Sequence, residues 1–262
     1  MENTITTLDG VFWDKQEILS QMVDDKFYYN YLGQNALSSS ACKKLLESPL
    51  AYKNSLGGNS SNNNQALRDG WLFHCKILEP EKYNELHFVD VQSKNSKAYK
   101  LAVEEYGQAF TEKEKYNAEQ MASVFLSNSK TAHYLSGTRS EVPAVGEIDG
   151  LPFRAKADIL GGSFIVDLKT TGKGGLQKFK WSADNFGYDV QCYIYCELFD
   201  ISYKDFLFAV IEKETHLMGL FECSKEFYER GRYKTEEAIQ IYRDFFLEKK
   251  KPVEEFYLYD VL

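Results

Sequence analysis

The chain of 262 residues is 44% hydrophobic and 27% charged, a globular composition that excludes a disordered or fibrous polymer and leaves room for a sizeable core. Its 39 acidic and 31 basic residues give a formal charge of −8 and a pI near 5.2, which excludes a protein that coats nucleic acid with its whole surface; any DNA contact must come from a local patch. Five cysteines (Cys42, Cys75, Cys192, Cys196, Cys223) are odd in number and scattered, so core thiols are expected instead of a disulfide framework, a zinc site or an iron–sulfur cluster. No apolar run reaches the ~20 residues that a membrane helix needs. Met1 to Thr4 lack the basic start and apolar stretch of a signal peptide. The expectation is a soluble cytoplasmic protein with no membrane partner.

The first 35 residues are rich in aromatics (Phe12, Trp13, Phe27, Tyr28, Tyr29, Tyr31) without a regular pattern. Ser38-Ser39-Ser40 then opens a helix over Ala41 to Glu47 that Ser48-Pro49 stops. The polar tract Gly57 to Asn64 reads as a mobile surface loop. A second helix is expected from Gln65 to Leu78, ending at Glu79-Pro80. Lysine-rich turns follow (Lys94, Lys97, Lys100), then a helix from Thr111 to Ser127 whose Thr111-x-x-Glu114 is a capping-box pattern.

The texture changes at Arg139. Arg139 to Ile148, Pro152 to Leu160 and Phe164 to Lys169 read as strands, separated by the hairpin signals Asp149-Gly150 and Gly161-Gly162. A helix is expected from Ser182 to Phe199, strands over Phe206 to Glu212 and Leu217 to Glu222, and a long helix from Ser224 to Lys249 with a core-facing stripe. The fold class is therefore α+β: a central mixed sheet flanked by helices and preceded by a helical segment. One domain spans residues 1–262, with a mainly helical part (1–135), a sheet core (136–222) and a C-terminal helix and tail (223–262).

Alternation along a strand puts Ile165, Asp167 and Lys169 on one face, and Arg154, Lys156 and Asp158 opposite Phe153, Ala155, Ala157 and Ile159. The glycine hairpin brings the Asp158 and Asp167 strands together, so two carboxylates meet beside a lysine. Adjacent carboxylates repel unless something positive sits between them, and a hard divalent cation such as Mg²⁺ meets that need. A surface ion pair between Lys169 and either acid is the plainer alternative for these residues alone.

Asp158, then Asp167-x-Lys169, then a helix carrying Gln191-x-x-x-Tyr195 resembles the PD-(D/E)XK nuclease superfamily, in its RecB-like branch. Gly70-Trp-Leu-Phe-His74-Cys-Lys-Ile-Leu-Glu79-Pro80-Glu81 resembles the helix that supplies a metal-binding histidine there. Leu37-Ser-Ser-Ser40, Leu45 and Ser48-Pro49 resemble the opening helix of the phage and prophage exonuclease VIII (RecE) group. The resemblance covers about residues 36 to 200 and implies a restriction-endonuclease-like core. It implies His74, Asp158 and Asp167 as metal ligands with the Leu168 carbonyl, for one or two Mg²⁺ or Mn²⁺ ions. Lys169 would orient and help deprotonate the attacking water, and Gln191 and Tyr195 would contact the DNA backbone or support Lys169. An acid on the first strand would assist; Ser140-Glu141 fits the family pattern better than its rival Glu147.

From Arg154 to Lys180 six cations (Arg154, Lys156, Lys169, Lys173, Lys178, Lys180) face two anions, a local +4 against the chain's overall sign. This stretch is the expected phosphate-attracting patch, and Trp181 and Phe179 beside it could stack on a base or simply pack in the core. The implied activity is a metal-dependent exonuclease on linear double-stranded DNA, working 5′ to 3′ and leaving 3′ single strands for recombination. Its implied partners are a single-strand annealing protein and further copies of itself in a ring, in a bacterial host's cytoplasm if a phage encodes it. A RecB or CRISPR-associated repair nuclease, a DNA-end-binding protein without catalysis, and a metal-free structural domain are the alternatives.

Overall fold

The computed structural model describes residues 3–57, 64–172 and 174–257. The chain opens with a hairpin, β1 (Thr4–Thr6) and β2 (Phe12–Asp14), followed by helix α1 (Lys15–Gln21), a π-helical turn (Phe27–Tyr31) and α2 (Leu32–Asn35). The aromatic-rich start is thus regular structure. Its short elements close on Ile5, Ile18, Met22, Tyr28 and Leu32, a small core that packs on Val145. Helices α3 (Ser39–Glu47), α4 (Pro49–Leu56), α5 (Gln65–Leu78) and α6 (Pro80–Asn84) follow. The side chains of Ser38, Ser48 and Asn64 accept N–H groups of the first turns of α3, α4 and α5, which is why these helices start where they do. Most of the polar tract expected to be a mobile loop, residues 58–63, lies outside the described residues.

Next come β3 (Phe88–Val89), α7 (Lys97–Tyr106), β4 (Phe110–Thr111), α8 (Glu112–Ser127) and the short α9 (Ser129–Ala132). Helix α7 replaces the expected lysine-rich turns. Ser96 caps its start, and Gly107 supplies the left-handed residue (φ 74°) just past its end, a pairing of stop signals visible in the sequence.

The five-stranded sheet runs in chain order: β5 (Arg139–Ile148), β6 (Leu151–Leu160), β7 (Ile165–Thr171), β8 (Phe206–Glu212) and β9 (Met218–Glu222). Neighbours are antiparallel except β7 and β8, which are parallel and joined by α10 (Gly175–Ser182) and α11 (Tyr188–Phe199). One continuous helix was expected over Ser182 to Phe199; instead the chain breaks between α10 and α11, where Gly187 takes a left-handed conformation (φ 75°). Helix α12 (Lys225–Tyr242) ends earlier than its hydrophobic stripe suggested and continues as a π-helical turn, Arg243–Leu247.

Helices α3, α11 and α12 cover one face of the sheet, over Phe153, Ala155, Ala157, Ile165, Phe208 and Val210. Helices α5 and α8 cover the other, over Ile159, Val166, Leu168, Ala209 and Ile211. The three layers give the mixed α+β architecture expected from the sequence. One alternation fails: Ile159 joins the second core and not that of Phe153, Ala155 and Ala157, because β6 changes face at Asp158. All five cysteines are free and buried. Among the described residues no helix is long and apolar enough to cross a membrane.

Helix α5, which carries His74, is fixed to its neighbours through Glu114 at the start of α8. The Glu114 carboxylate completes a capping box with Thr111 and accepts Arg68 Nε at 3.0 Å, Lys94 Nζ at 2.8 Å and Gln65 Nε2 at 2.9 Å. Burial opposes its charge, but these donors outweigh it and lower its pKa from 4.5 to about 2. A depressed carboxylate stabilises the fold above its ordinary pKa and loses that contribution as pH falls toward the folded value. Glu114→Gln should therefore cost about 2–3 kcal/mol at pH 7. Urea unfolding at successive pH values should show the gap to wild type closing between about pH 5 and pH 2; a gap independent of pH would contradict the charge-assisted network.

Candidate active site

Strands β6 and β7 pair at only two positions, Ile159 with Val166 and Leu160 with Ile165. Beyond them β6 stays with β5 and β7 stays with β8, so the sheet forks at Asp158 and Asp167. The Asp158 carboxylate fills the fork: its Oδ2 accepts the Leu168 backbone N–H at 2.7 Å, a donor left without a strand partner. Asp167, one residue earlier on β7, is almost wholly buried and pairs with Lys169 two residues on. Gln191 of α11 donates its side-chain N–H to the other Asp167 oxygen. Lys169 lies under the Tyr188 ring, 5.0 Å from its centroid.

His74 reaches this fork from the opposite layer. Helix α5 crosses the end of β7 so closely that a Cβ on Gly70 would sit 3.3 Å from Thr170 Oγ1. One turn along, His74 Nδ1 stands 3.4 Å from Asp158 Oδ2. The two acids, the lysine and the imidazole, scattered over almost a hundred residues, thus occupy one neighbourhood.

Burial dominates the electrostatics there. It raises Asp158 and Asp167 to about 6, against the pull of Lys169 on both. For His74, burial and the Lys169 charge lower the pKa to about 4, so the imidazole is neutral and has a lone pair to offer at neutral pH. Burial works against the Lys169 charge, but Asp167 and Asp158 outweigh it and hold its pKa above the usual lysine value. Lys169 is therefore a cation in this arrangement: it can orient water and stabilise negative charge, whereas the expected help in deprotonation would need its proton to leave first.

The remaining residues sort by place. Glu141 sits on β5 with positive φ (52°), and burial together with the Asp158 charge raises its pKa to about 8. Glu147 is exposed near the far end of the same strand, opposite Pro152, so proximity favours Glu141. Tyr195 is buried and donates its hydroxyl to the Lys156 carbonyl at 3.0 Å, which ties α11 to β6 and leaves no free hydroxyl for DNA. Arg154, expected to face phosphate, is instead buried with its guanidinium 4.4 Å from the Tyr28 ring centroid. Lys156 is mostly covered and ion-paired with Asp25 and Glu141. Lys178 and Lys180 are exposed on α10, Trp181 beside them is 77% exposed, and Phe179 is core. Lys173 lies outside the described residues. Residues at the site that the sequence reading missed are Tyr188, Asp25 and Lys82; only the first had a signal, as an aromatic one turn before Gln191.

Among the described residues no three His, Cys, Asp or Glu side chains are gathered as a finished metal-binding group. The donor set nevertheless fits a divalent cation: two carboxylates, a neutral imidazole and a backbone carbonyl at Leu168. The buried Asp167 Oδ2 has the Lys169 ammonium as its partner among the described residues, which leaves lone-pair capacity that a cation could share. His74, Asp158 and Asp167 are thus neighbours, but Asp167 is turned toward Lys169 and Gln191.

A family model described as "PDDEXK-like domain of unknown function (DUF3799)" matches residues 38–255. A search of the curated proteins finds no match. The chain is similar to a crystal structure from Eubacterium rectale that carries a provisional exonuclease name, with 16% identity and a TM-score of 0.62 over 91% of this chain and 95% of that one; at that identity the likeness speaks for the fold. A crystal structure of the protein SSO0001 aligns at 14% identity over 65% of this chain and 84% of that one, with a TM-score of 0.31 that is too low to speak even for that.

Two buried carboxylates against one ammonium leave an excess negative charge. A carboxyl whose folded pKa is raised stabilises the fold while protonated and loses that contribution as pH climbs through about 6. In chelator at pH 7.5, Asp158→Asn should therefore melt about 2–4 °C above wild type, with the difference gone by about pH 4. Added Mn²⁺ should raise the melting point of wild type and leave the variant unmoved. A wild type at least as stable as the variant in chelator would contradict the excess charge.

Proposed function

The chain belongs to the PDDEXK-like family, and with it to the PD-(D/E)XK nuclease superfamily; from this premise we propose that it is a metal-dependent DNA exonuclease of the exonuclease VIII (RecE) type. The observation that carries the reading is the fork between β6 and β7, where Asp158 and Asp167 meet Lys169 on one side and His74 on the other. Its substrate would be linear double-stranded DNA, degraded 5′ to 3′ so that a 3′ single strand remains for annealing recombination. A single-strand annealing protein and further copies of the chain in a ring would be its partners.

His74, Asp158, Asp167 and the Leu168 carbonyl would hold the ion, Mg²⁺ or Mn²⁺, one or two per site. When bound, it supplies positive charge that lowers the barrier to attack on a phosphodiester. The chain's own side chains do the rest. Lys169, held charged by the two acids, donates hydrogen bonds to the attacking water and offsets charge on the phosphate. Gln191 fixes the Asp167 carboxylate from α11. Glu141, raised to about 8 by burial and Asp158, is placed to take or return a proton near neutral pH. Lys178 and Lys180 on α10 offer exposed charge for the backbone of the strand.

Linear duplex labelled at one end or the other, incubated with Mg²⁺ or Mn²⁺, tests the activity. Wild type should release mononucleotides from 5′ ends and leave a covalently closed circle intact. Lys169→Ala should slow cutting by about 10²–10⁴-fold while keeping its fold. Cutting of the closed circle would exclude an exonuclease, and undiminished cutting by Lys169→Ala would remove that residue from the mechanism.

A further inference from the structure

Beside the fork lies a cavity of about 640 Å³ lined by Asp25, Glu79, Lys82, Arg139, Glu141 and Lys156, among others. Three separate parts of the chain meet in it. Lys156 comes from β6, two residues before Asp158; Lys82 comes from α6, just after the helix of His74; Asp25 comes from the helical residues that lead into the π-helical segment. The Asp25 carboxylate bridges the two ammonium groups, one oxygen to each: Oδ2 to Lys82 Nζ at 2.9 Å and Oδ1 to Lys156 Nζ at 3.1 Å.

We propose that Lys82 and Lys156 form a phosphodiester-binding subsite of the nuclease, and that Asp25 occupies it as an internal anion until a nucleic-acid phosphate takes its place. The inference rests on the nuclease reading above and adds a substrate contact to it.

The bridge has the pattern of a phosphodiester, a single negative charge spread over two oxygens that each accept from a different cation. Both lysines are held without Asp25. The Lys156 ammonium lies 4.6 Å from the Tyr28 ring centroid and 5.4 Å from that of Tyr29. Lys82 keeps Glu79 at 3.1 Å and stands over Trp71. Glu79 stays behind as a counter-charge to Lys82, and exchanging Asp25 for phosphate swaps one negative charge for another. Asp25 is the most exposed of the three partners: its side chain is 49% exposed, against 38% for Lys82 and 11% for Lys156. The Asp25–Lys82 arm is an exposed ion pair of the kind worth little in water, so a phosphate anchored elsewhere along the strand can displace Asp25 from it. The cavity also adjoins Glu141, so a phosphate seated there lies on the strand that passes the fork.

Fluorescence anisotropy of a labelled linear duplex, with Ca²⁺ in place of Mg²⁺, measures the consequence across a series of salt concentrations. Asp25→Asn should bind about 3–10-fold more tightly than wild type, since the competing anion is gone. Lys82→Ala should bind about 5–10-fold more weakly and lower the slope of log affinity against log salt by about one phosphate contact. In the Lys82→Ala background the gain from Asp25→Asn should shrink to what freeing Lys156 alone gives, a coupling that a purely local structural effect of Asp25→Asn would not give. Thermal melting of each variant reports separately on folding. DNA bound and cut by wild type, with affinities unchanged in Asp25→Asn and Lys82→Ala, overturns the subsite and leaves the nuclease reading standing. Wild type that neither binds nor cuts overturns both.

Discussion

Burying two carboxylates at the point where two strands part company is the constraint around which the rest of the molecule is arranged. Asp158 is held there because its oxygen replaces a strand partner for the Leu168 N–H, so the same acid that strains the electrostatics also completes the backbone bonding. Asp167 follows on the neighbouring strand, and Lys169 is the nearest cation to both. A protein selected for stability alone would fill such a fork with apolar side chains. A buried excess of negative charge of this kind is what the proposed cation would relieve.

The layers on either side hold that arrangement in place. Helix α11 brings Gln191 and Tyr188 to Asp167 and Lys169, and it is pinned to α12 through the buried Asp189, which accepts from Arg230 and Lys234. Gly231 lets α12 approach so closely that any larger residue would strike the Asp189 carbonyl. On the opposite face α5 descends onto β7 at Gly70, and the Glu114 network fixes its first turn. The imidazole and the acids therefore move only if whole helices move, which suits a site whose parts must stay in register.

The aromatic-rich N-terminal elements belong to the same design. They pack on β5 around Val145 and set Tyr28, Tyr29 and Asp25 over the outer cations of β6. Arg154 and Lys156 alternate with core residues, so the sequence reads them as an open basic face; in the fold that face is roofed. The net negative charge of the chain and its buried cations fit together: the positive charge that remains exposed near the site, at Lys178 and Lys180, is local.

Much of the fold was legible in order of residues because short-range rules govern it. The serines at 38–40 marked a helix start, Asp149-Gly150 and Gly161-Gly162 marked hairpins, and Thr111-x-x-Glu114 announced a capping box that forms as written. The strands of the sheet, the mixed α+β class and the pairing of the Asp158 and Asp167 strands follow from periodicity of two and from turn chemistry. Two departures were local, the helix α7 between Ser96 and Gly107 and the break at Gly187; in the others the deciding contacts were distant ones. Ile159 changes core because β6 must bend away from β7 at a carboxylate; Arg154 is buried because a tyrosine more than a hundred residues earlier covers it. Which of Glu141 and Glu147 stands by the acids, how Asp167 turns toward Lys169, and that Asp25 bridges two lysines are all matters of through-space distance. A linear pattern can name residue types able to hold a cation or a phosphate; only the packing of layers decides which of them meet.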